Sequence, residues 1–255
     1  MTFDLVTIPC LSDNYAFLLH HAGSGRTALV DAPEARPVEE ALTSRGWGLD
    51  EIWITHHHND HIGAVDALRA RYGAAVIGAA ADAHRLPALD RAVAPGEVFD
   101  FAGGAVRVIG VDGHTMGHVA FHVPDAQAVF TGDSLMALGC GRLFEGSPIE
   151  MWASLSRLAD LPGDTHVCSG HEYTATNARF ALTIEPDNPN LKTRAEAVFA
   201  AAEARQPTVP SRLDEERATN PFLRAHLPEV KAALTLDGQD DAKVFAEIRA
   251  RKDRF

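Results

Sequence analysis

Residues Thr55-His56-His57-His58-Asn59-Asp60-His61 place four histidines and an aspartate within six positions, directly after the apolar run Ile52-Trp53-Ile54. The run reads as a buried strand, and the polar cluster falls where that strand ends and a helix begins. Neutral imidazole nitrogens and carboxylate oxygens are the donors that borderline divalent metals such as zinc take. Alternate residues of a loop can point the same way, so His56 and His58 can share one metal. Asp60 and His61 then face the other side of the turn and can serve a second. The bland alternative is a solvated histidine-rich loop. Against it stand the internal position of the cluster and its frame of strand and helix start. His57 and Asn59 read as spacers.

Three more strand ends carry donors of the same kind. Residues 106–111 run into Gly113-His114, residues 128–131 end in Gly132-Asp133, and residues 166–168 lead to Gly170-His171. Each of these residues alone is an ordinary turn or capping residue. Sorted by charge, they complete two sets: His56, His58 and His114 for one metal, and Asp60, His61 and His171 for the other. Asp133 is the natural bridge, because a carboxylate has an oxygen for each metal. Three protein ligands and a bridge leave each metal an open position, the mark of a catalytic centre. Two such metals can lower the pKa of a shared water from about 15.7 toward about 7 and act as Lewis acids. The expected chemistry is attack of a bridging hydroxide on an activated carbonyl.

Other residues carry less. Asp31 closes the apolar strand 27–30, either as a helix N-cap or as a group standing behind the site. His118 reads as a residue behind the ligands or in the core. Cys140, between Gly139 and Gly141, has no neighbouring base and fits a tight turn better than a nucleophile.

The elements that must position these donors can be read in outline. Strands are expected at 3–8, 15–19, 27–30, 51–54, 74–77, 106–111, 119–123, 128–131 and 166–168, with helices at 37–46, 62–72 and 148–161. Residues 79–96, with Pro87 and Pro95, read as loop and short helix. Strands with interspersed helices imply two sheets covered by helices. After about residue 175 no strand-like run remains. Helical stretches follow at 174–185, 190–205, 211–218 and 241–252, the last with Val244, Phe245 and Ile248 on one face and a basic final turn.

The 255 residues are 46% hydrophobic and 23% charged, enough for one large domain or one with a small companion. A net charge of −12 argues against nucleic acid or an acidic membrane as partner. Three widely spaced cysteines suit a reducing compartment. With no signal-like start and no run near the roughly 20 apolar residues of a membrane span, the protein is expected to be cytoplasmic. Separately, a monomer acting on a small molecule is expected.

The motifs Thr55-His56-x-His58-x-Asp60-His61, Gly113-His114-Thr115-x-Gly117-His118, Thr131-Gly132-Asp133 and Gly170-His171 together resemble the metallo-β-lactamase superfamily. More of the chain resembles its glyoxalase II branch, the hydroxyacylglutathione hydrolases. The matching segments are Asp13-Asn14-Tyr15, Gly139 to Gly146, His171-Glu172-Tyr173-Thr174, Asn220-Pro221-Phe222-Leu223-Arg224 and Arg249-x-x-Lys252-Asp253.

The resemblance implies an αββα sandwich over residues 1–174 and a small α-helical substrate-binding domain over 175–255. It implies two divalent metals, zinc first and iron or manganese suited to the same donors, with Asp60 and Asp133 catalytic. The implied reaction is hydrolysis of S-D-lactoylglutathione to D-lactate and glutathione, the second step of methylglyoxal detoxification. It also implies a glutathione site of Arg142, Phe144, Tyr173, Arg249 and Lys252. Arg142 and Phe144 stand where the family form is lysine and tyrosine. The missing hydroxyl would typically cost about 0.5–1.5 kcal/mol of binding. Without the resemblance, Arg249 and Lys252 would read as a basic helix end favoured by the dipole. Competing readings are a single-iron persulfide dioxygenase, a lactonase or other ester hydrolase, and a metal-binding or redox-sensing module without turnover.

Overall fold

The structure, a computed structural model, describes residues 2–255. Its contacts cluster into two compact units. One comprises residues up to Gly110 together with Gly117–Gly132; the other comprises Val111–Met116 and Asp133–Phe255.

The first unit begins with a six-stranded sheet: β1 (Phe3–Cys10), β2 (Asn14–His21), β3 (Arg26–Val30), β4 (Glu51–Trp53), β5 (Ala75–Ala79) and β6 (Arg91–Val93), in that spatial order. β1, β2 and β3 form an antiparallel meander, whereas β3 to β6 are mutually parallel. Parallel strands need crossovers. These include α1 (Ala35–Arg45) between β3 and β4, and α2 (Asn59–Ile62) with α3 (Val65–Tyr72) between β4 and β5. β4 is covered on one face by these helices and on the other by an aromatic cluster, which explains its unbroken apolar run. Ile52 and Ile54 join Val38, Leu42, Val65 and Leu68 in one core cluster. Trp53 points to the other face, where its ring meets Phe99, Phe101, Phe121 and Phe130 at centroid distances of 5.2–6.4 Å.

Those phenylalanines belong to an antiparallel meander in the same unit: β7 (Val98–Phe101), β8 (Gly104–Gly110), β9 (Val119–Val123) and β10 (Ala128–Gly132). β6 and β7 were not visible in the sequence pattern. β6 is three residues between prolines with only Val93 buried, and β7 is four residues long. Such strands exist through their neighbours rather than through their own periodicity.

The second unit opens with a two-by-two hairpin, β11 (Leu135–Met136) and β12 (Gly139–Cys140). α4 (Pro148–Ala159) follows, started by Pro148 and a capping box in which Ser147 and Glu150 bond reciprocally. β13 (His166–Ser169) pairs antiparallel with β14 (Ser211–Arg212). Residues 211 and 212 thus form a strand, and the helix expected from 211 begins at Leu213 instead. Helices α5 (Thr174–Ile184), α6 (Pro189–Glu203), α7 (Leu213–Thr219), α8 (Pro228–Ala233) and α9 (Asp241–Arg254) complete the unit. Leu138 packs with residues of α5 and α6. Phe222 joins Phe180 and Phe245 at ring distances of 5.8–6.0 Å. Among the described residues no helix is long and apolar enough to cross a membrane.

Candidate functional site

Because β3 and β4 are parallel, Asp31 and the stretch from Thr55 leave the sheet at the same edge. This is the edge at which open α/β sheets place their ligands. Asp31 is not a helix cap. α1 starts after Glu34, and the Asp31 carboxylate instead accepts bonds from the Thr55 amide (2.9 Å), the Thr55 hydroxyl (2.8 Å) and His61 Nδ1 (2.8 Å). An imidazole that gives its Nδ1 proton to a carboxylate carries its lone pair on Nε2, the form a metal needs.

The rest of the loop is braced likewise. His56 Nδ1 lies 3.0 Å from the Thr55 hydroxyl, and its ring stacks on His118 at 4.6 Å and 11°. His58 Nδ1 lies 3.2 Å from His56 Nε2, so the two imidazoles expected to share a metal already face one another. Asn14 donates to Asp60 Oδ2 at 3.0 Å and to its backbone oxygen at 3.1 Å. His57, read as a spacer, bonds the buried Asp82 at 2.9 Å. Asp82 gave no signal in the sequence and Asn14 stood out only within the Asp13-Asn14-Tyr15 resemblance, since only the fold brings them to the loop.

In the second unit, His114 and His171 converge on Asp133. Their Nε2 atoms lie 3.4 and 3.3 Å from the same oxygen, Oδ2. His114 Nδ1 donates to the Arg142 carbonyl at 2.7 Å, which again leaves Nε2 as the lone-pair nitrogen. All three side chains are buried. Paired neutral imidazoles around a carboxylate make a donor set suited to divalent cations of zinc, iron or manganese type.

The Gly139-Cys140-Gly141 turn is dictated by close approach. A Cβ on Gly141 would lie 1.9 Å from the Asp133 carbonyl oxygen, and one on Gly139 would lie 2.5 Å from Asn177 Nδ2. Burial pushes the Cys140 thiol up to about 11, so at neutral pH it is protonated and no nucleophile.

The residues assigned to glutathione fall into two groups. Phe144 is 61% exposed and meets His114 edge-on at 5.2 Å, while Tyr173, 42% exposed, stacks on His171 at 4.8 Å and 7°. Arg142 is exposed, with Nε 3.6 Å from Asp253. Lys252 is half-buried over the rings of Phe180 and Phe255. Burial, helped by the nearby Arg249 charge, lowers its pKa to about 8. Arg249 is different. It is 7% exposed, bonds the Cys140 carbonyl at 3.0 Å and pairs with Asp253 at 2.9 Å. In this structure it holds the Gly-Cys-Gly loop from beneath.

A mixed six-stranded sheet, further antiparallel strands and helices, with buried histidines and aspartates at strand ends, define a metal-dependent hydrolase fold of the metallo-β-lactamase type. Residues 13–171 match the metallo-β-lactamase superfamily, and residues 172–255 match the hydroxyacylglutathione hydrolase C-terminus. A hydroxyacylglutathione hydrolase of Ruegeria pomeroyi is 62% identical over all 255 residues, covering both chains completely. Among solved structures, the B3 metallo-β-lactamase BLEG-1 superposes with a TM-score of 0.67 at 20% identity, over 86% of this chain and 99% of its own. A protein solved in a di-iron-bound form superposes with a TM-score of 0.57 at 28% identity, over 66% of this chain and 91% of its own. The chain belongs to the hydroxyacylglutathione hydrolase (glyoxalase II) family of the metallo-β-lactamase superfamily. Its fold is the αββα sandwich with a C-terminal helical region.

Proposed function

We propose that this chain hydrolyses the thioester S-D-lactoylglutathione to D-lactate and glutathione, using two divalent metals held by seven side chains. His56, His58 and His114 would hold one, Asp60, His61 and His171 the other, with Asp133 between them. Zinc is the first expectation, and the same donors suit iron or manganese. The observation that carries the reading is the convergence of His114 and His171 on one oxygen of Asp133. Two imidazole lone pairs aimed at a carboxylate edge make poor mutual partners and a good pair of cation sites.

Bound there, the metals would supply an acidified water and a Lewis acid for the carbonyl. The chain does the rest. Asp60, oriented by Asn14, is placed to hold a proton of the attacking water. Asp31 and the Arg142 carbonyl keep His61 and His114 in one tautomer. Arg142 and Lys252 offer cations to the glutathione carboxylates against a net charge of −12. Phe144 and Tyr173 offer ring faces to the peptide, while Arg249 supports the loop. Residues 175–255 act as the substrate-binding domain, and the protein works as a cytoplasmic monomer. The leaving thiolate is a weak base, so little acid assistance is needed.

The test is hydrolysis of S-D-lactoylglutathione by protein of measured metal content, with the lactate thioester of coenzyme A as control. The glutathione substrate should turn over preferentially, and Asp133→Ala should lower kcat on the order of 10²–10³-fold or more. Two metals per chain without thioester turnover would sink the assignment.

A further inference from the structure

The hairpin of β11 and β12 joins two functional points of the second unit. Asp133 precedes it, and the loop from Cys140 to Phe144 follows it. Its own strands are two residues each, joined by Ala137 and Leu138, with Leu138 at φ +55°. So short a ladder leaves most of the tip's backbone polar groups to find other partners. The tip is buried: Met136, Ala137, Leu138 and Gly139 are closed off from solvent.

The partners come from the helical region. Glu216, fully buried on α7, accepts the Leu138 amide at 2.9 Å through Oε2. Asn220, at the end of the same helix, donates its side-chain amide to the Met136 carbonyl (3.1 Å), the Gly139 carbonyl (3.0 Å) and Glu216 itself (3.0 Å). Asn177 on α5 donates to the Ala137 carbonyl at 3.0 Å. Behind them Arg194 of α6, also buried, bonds the other oxygen of Glu216 and reaches the Thr219 hydroxyl at 2.7 Å. Glu216 is thus charge-balanced and oriented from one side while its other oxygen holds the hairpin. The segment Asn220-Pro221-Phe222 turns directly after α7, and the Asn220 side-chain oxygen accepts the Phe222 amide at 3.0 Å, which locks the side chain with its donors toward the hairpin.

We propose that Glu216, Asn220 and Asn177 are positioning residues for the reaction. By gripping the hairpin tip they set Asp133 at one end and the Cys140–Phe144 substrate loop at the other, so metal bridging and thiol binding depend on one buried polar clamp. The inference rests on the thioesterase reading for its kinetic arm and on the Asp133 metal role for the other. Both ends move together because Gly141 packs directly against the Asp133 backbone, its amide bonding the Ser134 carbonyl at 3.0 Å.

The test compares Asn220→Ala with Glu185→Gln in the full-length metallated protein. Glu185 pairs with Arg224 in the same helical region and is buried, and neither residue bonds the hairpin. Three quantities are read: metal retained against a competing chelator, kcat, and KM for S-D-lactoylglutathione. In N220A the chelator concentration for half-release should fall and kcat should drop, each by about tenfold or more, with KM rising as well. In E185Q, matched by its loss of Tm, all three should stay within about twofold of wild type. Wild-type metal retention and kinetics in folded N220A would overturn the proposal, as would equal losses in both variants. Should N220A fail to fold, Asn177→Ser, which removes only the bond to Ala137, takes its place. A shift in metal retention then supports the proposal, and wild-type retention overturns it. If wild type shows no thioester hydrolysis, the thioesterase reading falls and metal retention alone decides the clamp.

Discussion

In the first unit, four candidate ligands come from one six-residue stretch after a buried strand. Three of them are braced by atoms within that unit: Asp31 behind His61, Thr55 and His118 behind His56, and Asn14 on Asp60. In the second unit, His114, Asp133 and His171 are far apart in sequence. Two of them are fixed largely through backbone: the Arg142 carbonyl holds His114, and the hairpin after Asp133 is gripped by Glu216, Asn220 and Asn177. The difference teaches that one kind of donor geometry can be built in two ways. A local cluster needs side chains behind it to choose each tautomer. A scattered set needs the chain path itself to be held, and that task falls to helices distant in sequence.

Three variants sharpen or break this comparison. The largest effect is expected at Asp31. Asp31→Asn keeps an acceptor for the Thr55 amide and turns the group facing His61 Nδ1 into a competing donor. Metal affinity or kcat should fall about 10–100-fold. KM should stay near wild type, because the residues proposed to bind substrate lie in the other unit. Steady-state kinetics with metal analysis reads this, and a KM change as large as the kcat change would break the division of labour.

A smaller effect concerns pH. The folded pKa of Lys252 lies near 8, below its unfolded value, so its ammonium is lost as pH rises through about 8. If that ammonium holds a substrate carboxylate, kcat/KM should decline by up to about tenfold above pH 8. Lys252→Arg stays charged throughout and should flatten that limb. An unchanged profile in the arginine variant would remove Lys252 from the substrate site. The sign for stability is opposite to that for binding. Between the folded and unfolded pKa values the unfolded chain binds more protons, so this group makes the fold relatively more stable as pH rises through that window.

The smallest effect is at Phe144. Its ring is exposed and carries no hydroxyl, where the sequence resemblance led to the expectation of a tyrosine. Phe144→Tyr should lower KM for the glutathione thioester by about 2–10-fold with kcat unchanged, the worth of one hydrogen bond. No change in KM would show that the ring face, set against His114, is what this position contributes.

Much of the candidate site could be read in the chain. A strand end followed by His-x-His-x-Asp-His can be recognised locally because metal ligands must be particular side chains at particular spacings, whatever surrounds them. The two-sheet architecture followed from strand-like runs with interspersed helices, and the first core from the apolar run before Thr55. The helical C-terminal region followed from its loss of strand pattern. What the chain did not reveal was short or supportive. β6, β7, β11, β12 and β14 have two to four residues each and exist because a neighbour offers a ladder. Asp31 could be a cap or a group behind the site, and only the parallel pairing of β3 with β4 decided it. Arg249 read as a ligand for substrate or as a helix-end charge, and the fold shows it bonded to the Cys140 carbonyl. Asn220 stood out only as part of a resemblance. Ligand chemistry is a property of side chains and their spacing. Which acceptor a buried side chain finds is a property of packing between segments tens of residues apart, and only the tertiary structure brings those segments together.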